Sequence, residues 1–179
     1  MKKIFIFIFL LSFIGQAQAY DCQFDKLKPG VTNKSLEEIN IFAYGPKSSL
    51  EAFNYSVASE QLCKGDPEKF VGQHIELMFM GDKLVKVNYI NTIPNKSVLF
   101  DLANEYYKTN FKRNGEQVAK IQSEFYQTHK NNNSYFYVLL KNKSSQQEYL
   151  EISNDKYIKK LEKFLLNIEE TQWLERYLF

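Results

Sequence analysis

The sequence predicts an α+β domain: an antiparallel sheet of about five or six strands with helices packed mainly on one face. Two observations carry the sheet, and a third carries the helical cover. Between Gln73 and Ile90, Ile75, Leu77 and Phe79 alternate with His74, Glu76, Met78 and Met80. After a Gly81-Asp82 turn signal, Val85, Val87 and Tyr89 alternate with Leu84, Lys86, Asn88 and Ile90. Such period-two patterns mark strands buried on one face. Further strands are expected over 121–129, 135–141 and 147–153, separated by polar connections. After Asp155, Ile158, Leu161, Leu165 and Ile168 recur at helical spacing, joined by Tyr157 and Phe164, as the stripe of a helix lying on a sheet.

The chain opens with Lys2 and Lys3, an apolar run from Ile4 to Ile14, and Ala17-Gln18-Ala19. That is the layout of a secretory signal over residues 1–19. The mature chain, 20–179, then has 179 less 19, or 160 residues, the size of a single domain. It is expected in the periplasm or secreted, without a stable membrane anchor after cleavage. The Met-Lys-Lys start and the Lys, Asn, Ile and Phe bias suit a bacterial chain. Removing Lys2 and Lys3 leaves 21 basic residues against 21 acidic, so no basic excess exists to attract nucleic acid. Two cysteines remain, Cys22 and Cys63, and an even count in an oxidising compartment reads as one structural disulfide.

Taken in order, Thr32 or Asn33 caps a first helix that buries Leu36, Ile39 and Phe42 or Ala43 and stops at Tyr44-Gly45-Pro46. Gly30-Val31-Thr32, Leu36-Glu37-Glu38-Ile39 and Gly45-Pro46 together resemble the opening "G-M-T, helix, G-P" pattern of the SmpA/OmlA (BamE-like) envelope proteins. The resemblance runs from Leu27 to Ile90. It implies a short helical segment followed by an antiparallel sheet, and a role in binding with no catalytic residues. A strand is expected from Phe53 to Val57, where the apolar spacing also fits a helix. The central hairpin should close through a three-residue loop, Gly81 to Lys83, pairing Phe79 with Val85, Leu77 with Val87 and Ile75 with Tyr89. Pro94 and Asn95 open the next helix, with Leu99, Leu102, Ala103 and Tyr106 on one face and Asn114-Gly115 at its end. The last helix is capped by Asp155, and Trp173, Leu174, Tyr177 and Leu178 extend it or begin another. Its Leu161, with Leu102, should cover the central hairpin.

Catalytic signatures are missing. His74 and Glu76 share a strand face, a spacing a metal or proton relay could use, but no further ligands accompany them. His129 stands beside a polar loop. No Ser lies in a G-x-S-x-G turn, no glycine-rich phosphate loop occurs, and Glu37-Glu38 and Glu169-Glu170 read as solvated helix faces. No catalytic, cofactor or metal residues are therefore expected. The leading reading is a non-catalytic exported protein that binds a protein or envelope component. An inhibitor or immunity-type protein against an exported toxin or hydrolase is a second reading, and a small secreted hydrolase a third.

The mature chain holds 11 Phe, 12 Tyr and one Trp. Tyrosine packs in cores and also populates binding surfaces, where its ring is covered and its hydroxyl wet. Taking 130–134 and 142–146 as five-residue loops pairs Tyr126 with Val138, Val138 with Leu150, and Phe136 with Ile152. That register sends Tyr135, Tyr137, Tyr149, Phe125, Gln127, His129, Leu139 and Glu151 to the opposite side. This tyrosine-lined side is the expected binding face.

Overall fold

The computed structural model describes residues 21–43, 52–64, 70–93, 96–113, 123–141 and 145–178, and side chains up to Asn167. The expected signal and the turns at Gly45-Pro46, Pro94-Asn95 and Asn114-Gly115 lie outside the described residues. So do the side chains of Trp173, Leu174, Tyr177 and Leu178. The elements are β1 (Asp21–Cys22), α1 (Asn33–Glu37), β2 (Ala52–Ala58), β3 (Cys63–Lys64), β4 (His74–Met80) and β5 (Lys83–Asn91). They continue with α2 (Leu99–Tyr107), β6 (Ser123–Lys130), β7 (Asn133–Lys141), β8 (Gln146–Asn154) and α3 (Asp155–Leu178). Six strands form one antiparallel sheet in the order β2-β4-β5-β8-β7-β6, and β1 and β3 form a separate two-stranded ribbon. The fold is α+β, and α3 runs as one helix to Leu178.

One sheet face is the core. Ile75, Leu77, Phe79, Val87, Tyr89, Leu150, Ile152, Tyr135 and Tyr137 are buried in one continuous cluster. Burial of large apolar side chains supplies most of the stabilisation of such a layer, ~1.5–3 kcal/mol for each Leu, Ile or Phe. Aromatic rings knit the cover to the sheet. Phe24 sits edge-on to Phe70, Tyr89 and Tyr106, with centroids 4.8, 5.8 and 5.2 Å away. Phe100 of α2 is edge-on to Tyr137 at 5.4 Å and to Tyr126 at 5.3 Å. Tyr107 donates a hydrogen bond to the carbonyl of Phe24 at 2.6 Å, so its oxygen is left to accept from the Tyr89 hydroxyl, also at 2.6 Å. Burial raises the pKa of both phenols, the Tyr107 group being pushed further by Tyr89 beside it.

Cys22 and Cys63 are joined as a disulfide across the β1–β3 ribbon, tying the start of the described chain to the segment before the central hairpin. Leu102 is buried within the cluster that holds the hairpin residues, whereas Leu161 is buried but stands outside that cluster. The helix after Thr32 is shorter than its sequence pattern. Thr32 caps it by accepting from the Ser35 amide at 3.2 Å, but Asn40 turns left-handed at φ 60°. The Leu36 carbonyl then takes both the Ile39 and Ile41 amides. Ile39, Ile41 and Ala43 are consequently buried and Phe42 is exposed.

Two registers differ from expectation, for different reasons. In the β4–β5 hairpin, Ile75 faces Tyr89 and Leu77 faces Val87 as read from the sequence, but Phe79 faces Leu84 and Met80 faces Lys83. A two-residue Gly81-Asp82 turn closes the hairpin, and a bulge beyond Met78 absorbs the extra residue. A bulge places two residues opposite one, so Leu84 and Val85 are both buried. In the β6–β7 hairpin, Lys130 pairs with Asn133 and the loop is only Asn131-Asn132, with φ of 52° and 62°. Two consecutive left-handed residues make the tight turn that suits strand twist, and Asn tolerates that conformation. Tyr126 therefore faces Tyr137, and Tyr137 faces Leu150, one residue from the expected pairing on each side.

Candidate binding surface

That one-residue difference decides which face each aromatic occupies, because a slip of one reverses a strand. Tyr135, Tyr137 and Leu139 belong to the core, at 5 %, 0 % and 1 % exposure, and are not members of the open face. Phe125, Gln127, His129, Tyr149 and Glu151 do lie on the face opposite the core. Phe136 and Val138, expected among the buried residues, join them there, and so does Leu140. The open side thus includes Phe125, Gln127 and His129 on β6, Phe136, Val138 and Leu140 on β7, Tyr149 and Glu151 on β8, Asn88 and Ile90 on β5, and Glu76 on β4.

At the centre of this face the sheet forms an open concavity of about 330 Å³, lined by Glu76, Asn88, Ile90, Phe136, Val138, Tyr149 and Glu151. Its floor is apolar, and polar groups hold its sides. Lys86 and Glu151 pair at 2.6 Å, Asn88 donates to Glu76 at 3.4 Å, and Tyr149 donates to Gln147 at 3.2 Å. Phe125 on the outermost strand is 75 % exposed, the most open large apolar side chain among the described residues. Phe136 and Leu140 are also exposed.

The histidines are displayed without metal-binding company. His74 approaches Glu76 at 3.8 Å, with both side chains near half exposure. Among the described residues no three His, Cys, Asp or Glu side chains converge as a metal site. At the β6–β7 hairpin, the Ser134 hydroxyl donates to Asp155 at 2.7 Å and lies 2.9 Å from Nδ1 of His129. A serine, a histidine and an aspartate meet here in the wrong order for nucleophile activation. There the imidazole takes the hydroxyl proton and the carboxylate orients the imidazole; here the hydroxyl proton goes to the carboxylate. The trio instead fastens the hairpin to the first turn of α3. The α3 cap is Asn154, whose side chain accepts the Lys156 amide at 3.1 Å, and not Asp155 as the sequence pattern indicates.

The densest polar network is buried on the core side, and nothing in the sequence announces it. Glu148 on β8 is fully buried, and its carboxylate accepts from five donors. Oε1 takes the Ser97 hydroxyl at 2.8 Å and the Tyr137 hydroxyl at 2.7 Å. Oε2 takes the Asn91 amide group at 2.9 Å and the backbone amides of Val98 and Leu99 at 2.8 and 3.2 Å. Val98 is the residue before α2 and supplies no side-chain cap, so Glu148 caps that helix from across the fold. Anions are favoured at helix N-termini, where unpaired amides converge. Arg113 closes the network, reaching Ser97 and Tyr137 at 3.2 and 3.3 Å, pairing with Glu124 at 3.2 Å, and lying 4.3 Å over the Phe100 ring. Burial, then the neighbouring Glu148 carboxylate, raises the Tyr137 phenol above its ordinary range. With five internal donors engaged, this carboxylate serves as an anchor of the fold.

No known protein family matches the chain, and neither does any curated protein or solved structure. No described helix is long and apolar enough to cross a membrane.

Proposed function

We propose that this protein works by binding, as an exported module that holds a protein or envelope partner against the open face of its six-stranded sheet. The observation that carries the reading is the concavity floored by Ile90, Phe136, Val138 and Tyr149, with exposed Phe125 and Leu140 continuing the apolar surface toward the sheet edge. Contiguous apolar surface of this kind, rimmed by polar groups, marks interaction sites in folded domains. An aromatic floor with charged and amide groups at its sides is the composition of protein-recognition surfaces. The disulfide between Cys22 and Cys63 supports an oxidising location. The resemblance of Leu27 to Ile90 to envelope proteins that act by binding points the same way.

The test is a photo-crosslinking amino acid placed at Phe136 in the native host, with the same group at Lys112 as a control. A discrete adduct from position 136 alone, lost in a Tyr149→Ser, Val138→Ser background that keeps its melting temperature, is the expected result. Equal labelling from both positions, or an adduct indifferent to the serine substitutions, would refute the assignment of this face.

A further inference from the structure

A second concavity, of about 540 Å³, lies between the β4–β5 turn and the first half of α3. Its volume falls within the ~300–1,000 Å³ of small-ligand clefts. Met80, Tyr157 and Phe164 supply its apolar surface, and Lys83, Lys160 and Lys163 supply three ammonium groups; Asp82 and Asn167 complete the rim. Helix geometry explains the convergence. Tyr157, Lys160, Phe164 and Asn167 recur at spacings of three and four, so they share one side of α3. Backbone bonds fix the opposing wall. The Gly30 amide donates to the Leu84 carbonyl at 2.6 Å, the Asn33 amide donates to the Asp82 carbonyl at 3.0 Å, and Thr32 bridges to Lys83. At Gly30, with φ of 101°, an added Cβ would lie 3.5 Å from the Tyr157 ring, which shows how closely this loop approaches the helix.

The charge balance here differs from that of the whole chain. From Lys156 to Asn167 four lysines stand against one glutamate. Among the described residues none of Lys83, Lys160 and Lys163 forms an ion pair, whereas Lys86 nearby on β5 is paired with Glu151. Unpaired lysines scattered over a surface are ordinary, since each is well hydrated. Three of them around a shared half-buried aromatic surface give a site with two complementary demands. The cationic rim calls for an anionic group, and the Met80, Tyr157 and Phe164 surface calls for an apolar body. A bare inorganic anion would leave that surface wet, and a neutral hydrocarbon would leave the ammonium groups unanswered.

We infer that this cleft binds a small amphipathic anion, an aromatic or aliphatic body carrying a sulfonate, carboxylate or phosphate. The cleft shares no lining residue with the concavity of the open sheet face, and its test does not depend on that reading. The probe is 8-anilinonaphthalene-1-sulfonate, with the uncharged N-phenyl-1-naphthylamine as its neutral counterpart, both followed by fluorescence on the full mature chain. The expected result is saturable binding of the sulfonate. It should weaken at least about tenfold in K160E/K163E, since two nearby attractive charges become repulsive, and weaken with added salt. K112E, which reverses an exposed lysine elsewhere, should leave it unchanged. Lys160 and Lys163 are exposed and have no ion-pair partner among the described residues, so their variant should keep its melting temperature. The inference is overturned by any one of four results: unchanged affinity in K160E/K163E, an equal loss in K112E, equally tight binding of the neutral probe at this site, or displacement of the sulfonate probe by inorganic sulfate at equal concentration.

Discussion

Replacing Glu148 by Gln tests whether a carboxylate from β8 is what seats α2 on the sheet. The amide keeps the shape but offers one acceptor oxygen where the carboxylate offers two. Its oxygen is best placed toward Val98, Leu99 and Asn91, whose N–H groups cannot reverse their polarity. The new NH2 group then faces the hydroxyls of Ser97 and Tyr137, which lose the acceptor they now donate to. Hydrogen bonds to a charged partner contribute ~1.5–3 kcal/mol each, so two of them amount to ~3–6 kcal/mol. The hydroxyls can rotate and accept from the new amide, which returns about 1 kcal/mol, and a net loss of about 2–5 kcal/mol is expected. Against a typical ~5–15 kcal/mol for a domain, the variant should still fold. Urea unfolding followed by circular dichroism measures the change, and hydrogen exchange should quicken at the Val98 and Leu99 amides in particular. A cycle with Tyr137→Phe should be non-additive by at least about 0.5 kcal/mol, because both changes touch the same bond. A destabilisation below about 1 kcal/mol, with unchanged exchange at those two amides, would mean that α2 is held by its apolar face alone.

Other expectations follow from the same structure. Leu161→Ala should cost ~2–5 kcal/mol by opening a cavity under α3, and a loss within the ~0.5 kcal/mol of surface changes would show that the helix packs elsewhere. Reducing the Cys22–Cys63 bond, which closes a sequence separation of 41, should lower stability by ~4 kcal/mol in the chain-entropy account; thiol labelling under denaturing, non-reducing conditions checks that the bond forms. Tyr89, Tyr107 and Tyr137 all have raised pKa values in the fold. The unfolded chain therefore releases these protons from about pH 10 upward while the folded chain retains them, and stability should be fully present below that pH and fall above it. Tyr107→Phe should be less stable at neutral pH and show a shallower alkaline decline, which unfolding curves at pH 8 and above would measure.

Elements that depend on local periodicity are legible in one dimension. Alternation along Ile75–Phe79 and Val85–Tyr89 announces two strands buried on one side, because side chains of a strand point alternately to its two faces. Spacing of three and four from Ile158 to Leu165 announces a helix for the same geometric reason. Features that depend on a single residue of register, or on chain segments far apart, emerge only when the strands and helices pack. Alternation is equally regular in either register, so it cannot tell whether Tyr137 opposes Tyr126 or its neighbour. The left-handed pair Asn131-Asn132 settles that, and with it the burial of Tyr135 and Tyr137 and the exposure of Phe136. The Asn-Asn pair in the polar connection was the available signal, since few residues other than Gly accept two successive left-handed positions. No comparable signal exists for Glu148, one acidic residue in a polar stretch, whose Val98 and Leu99 partners lie 50 and 49 positions away. The Lys83, Lys160 and Lys163 cleft is equally silent in one dimension. Side chains about 80 residues apart become neighbours only because α3 comes to lie beside the β4–β5 turn, and such a meeting is a property of packing that no local pattern records.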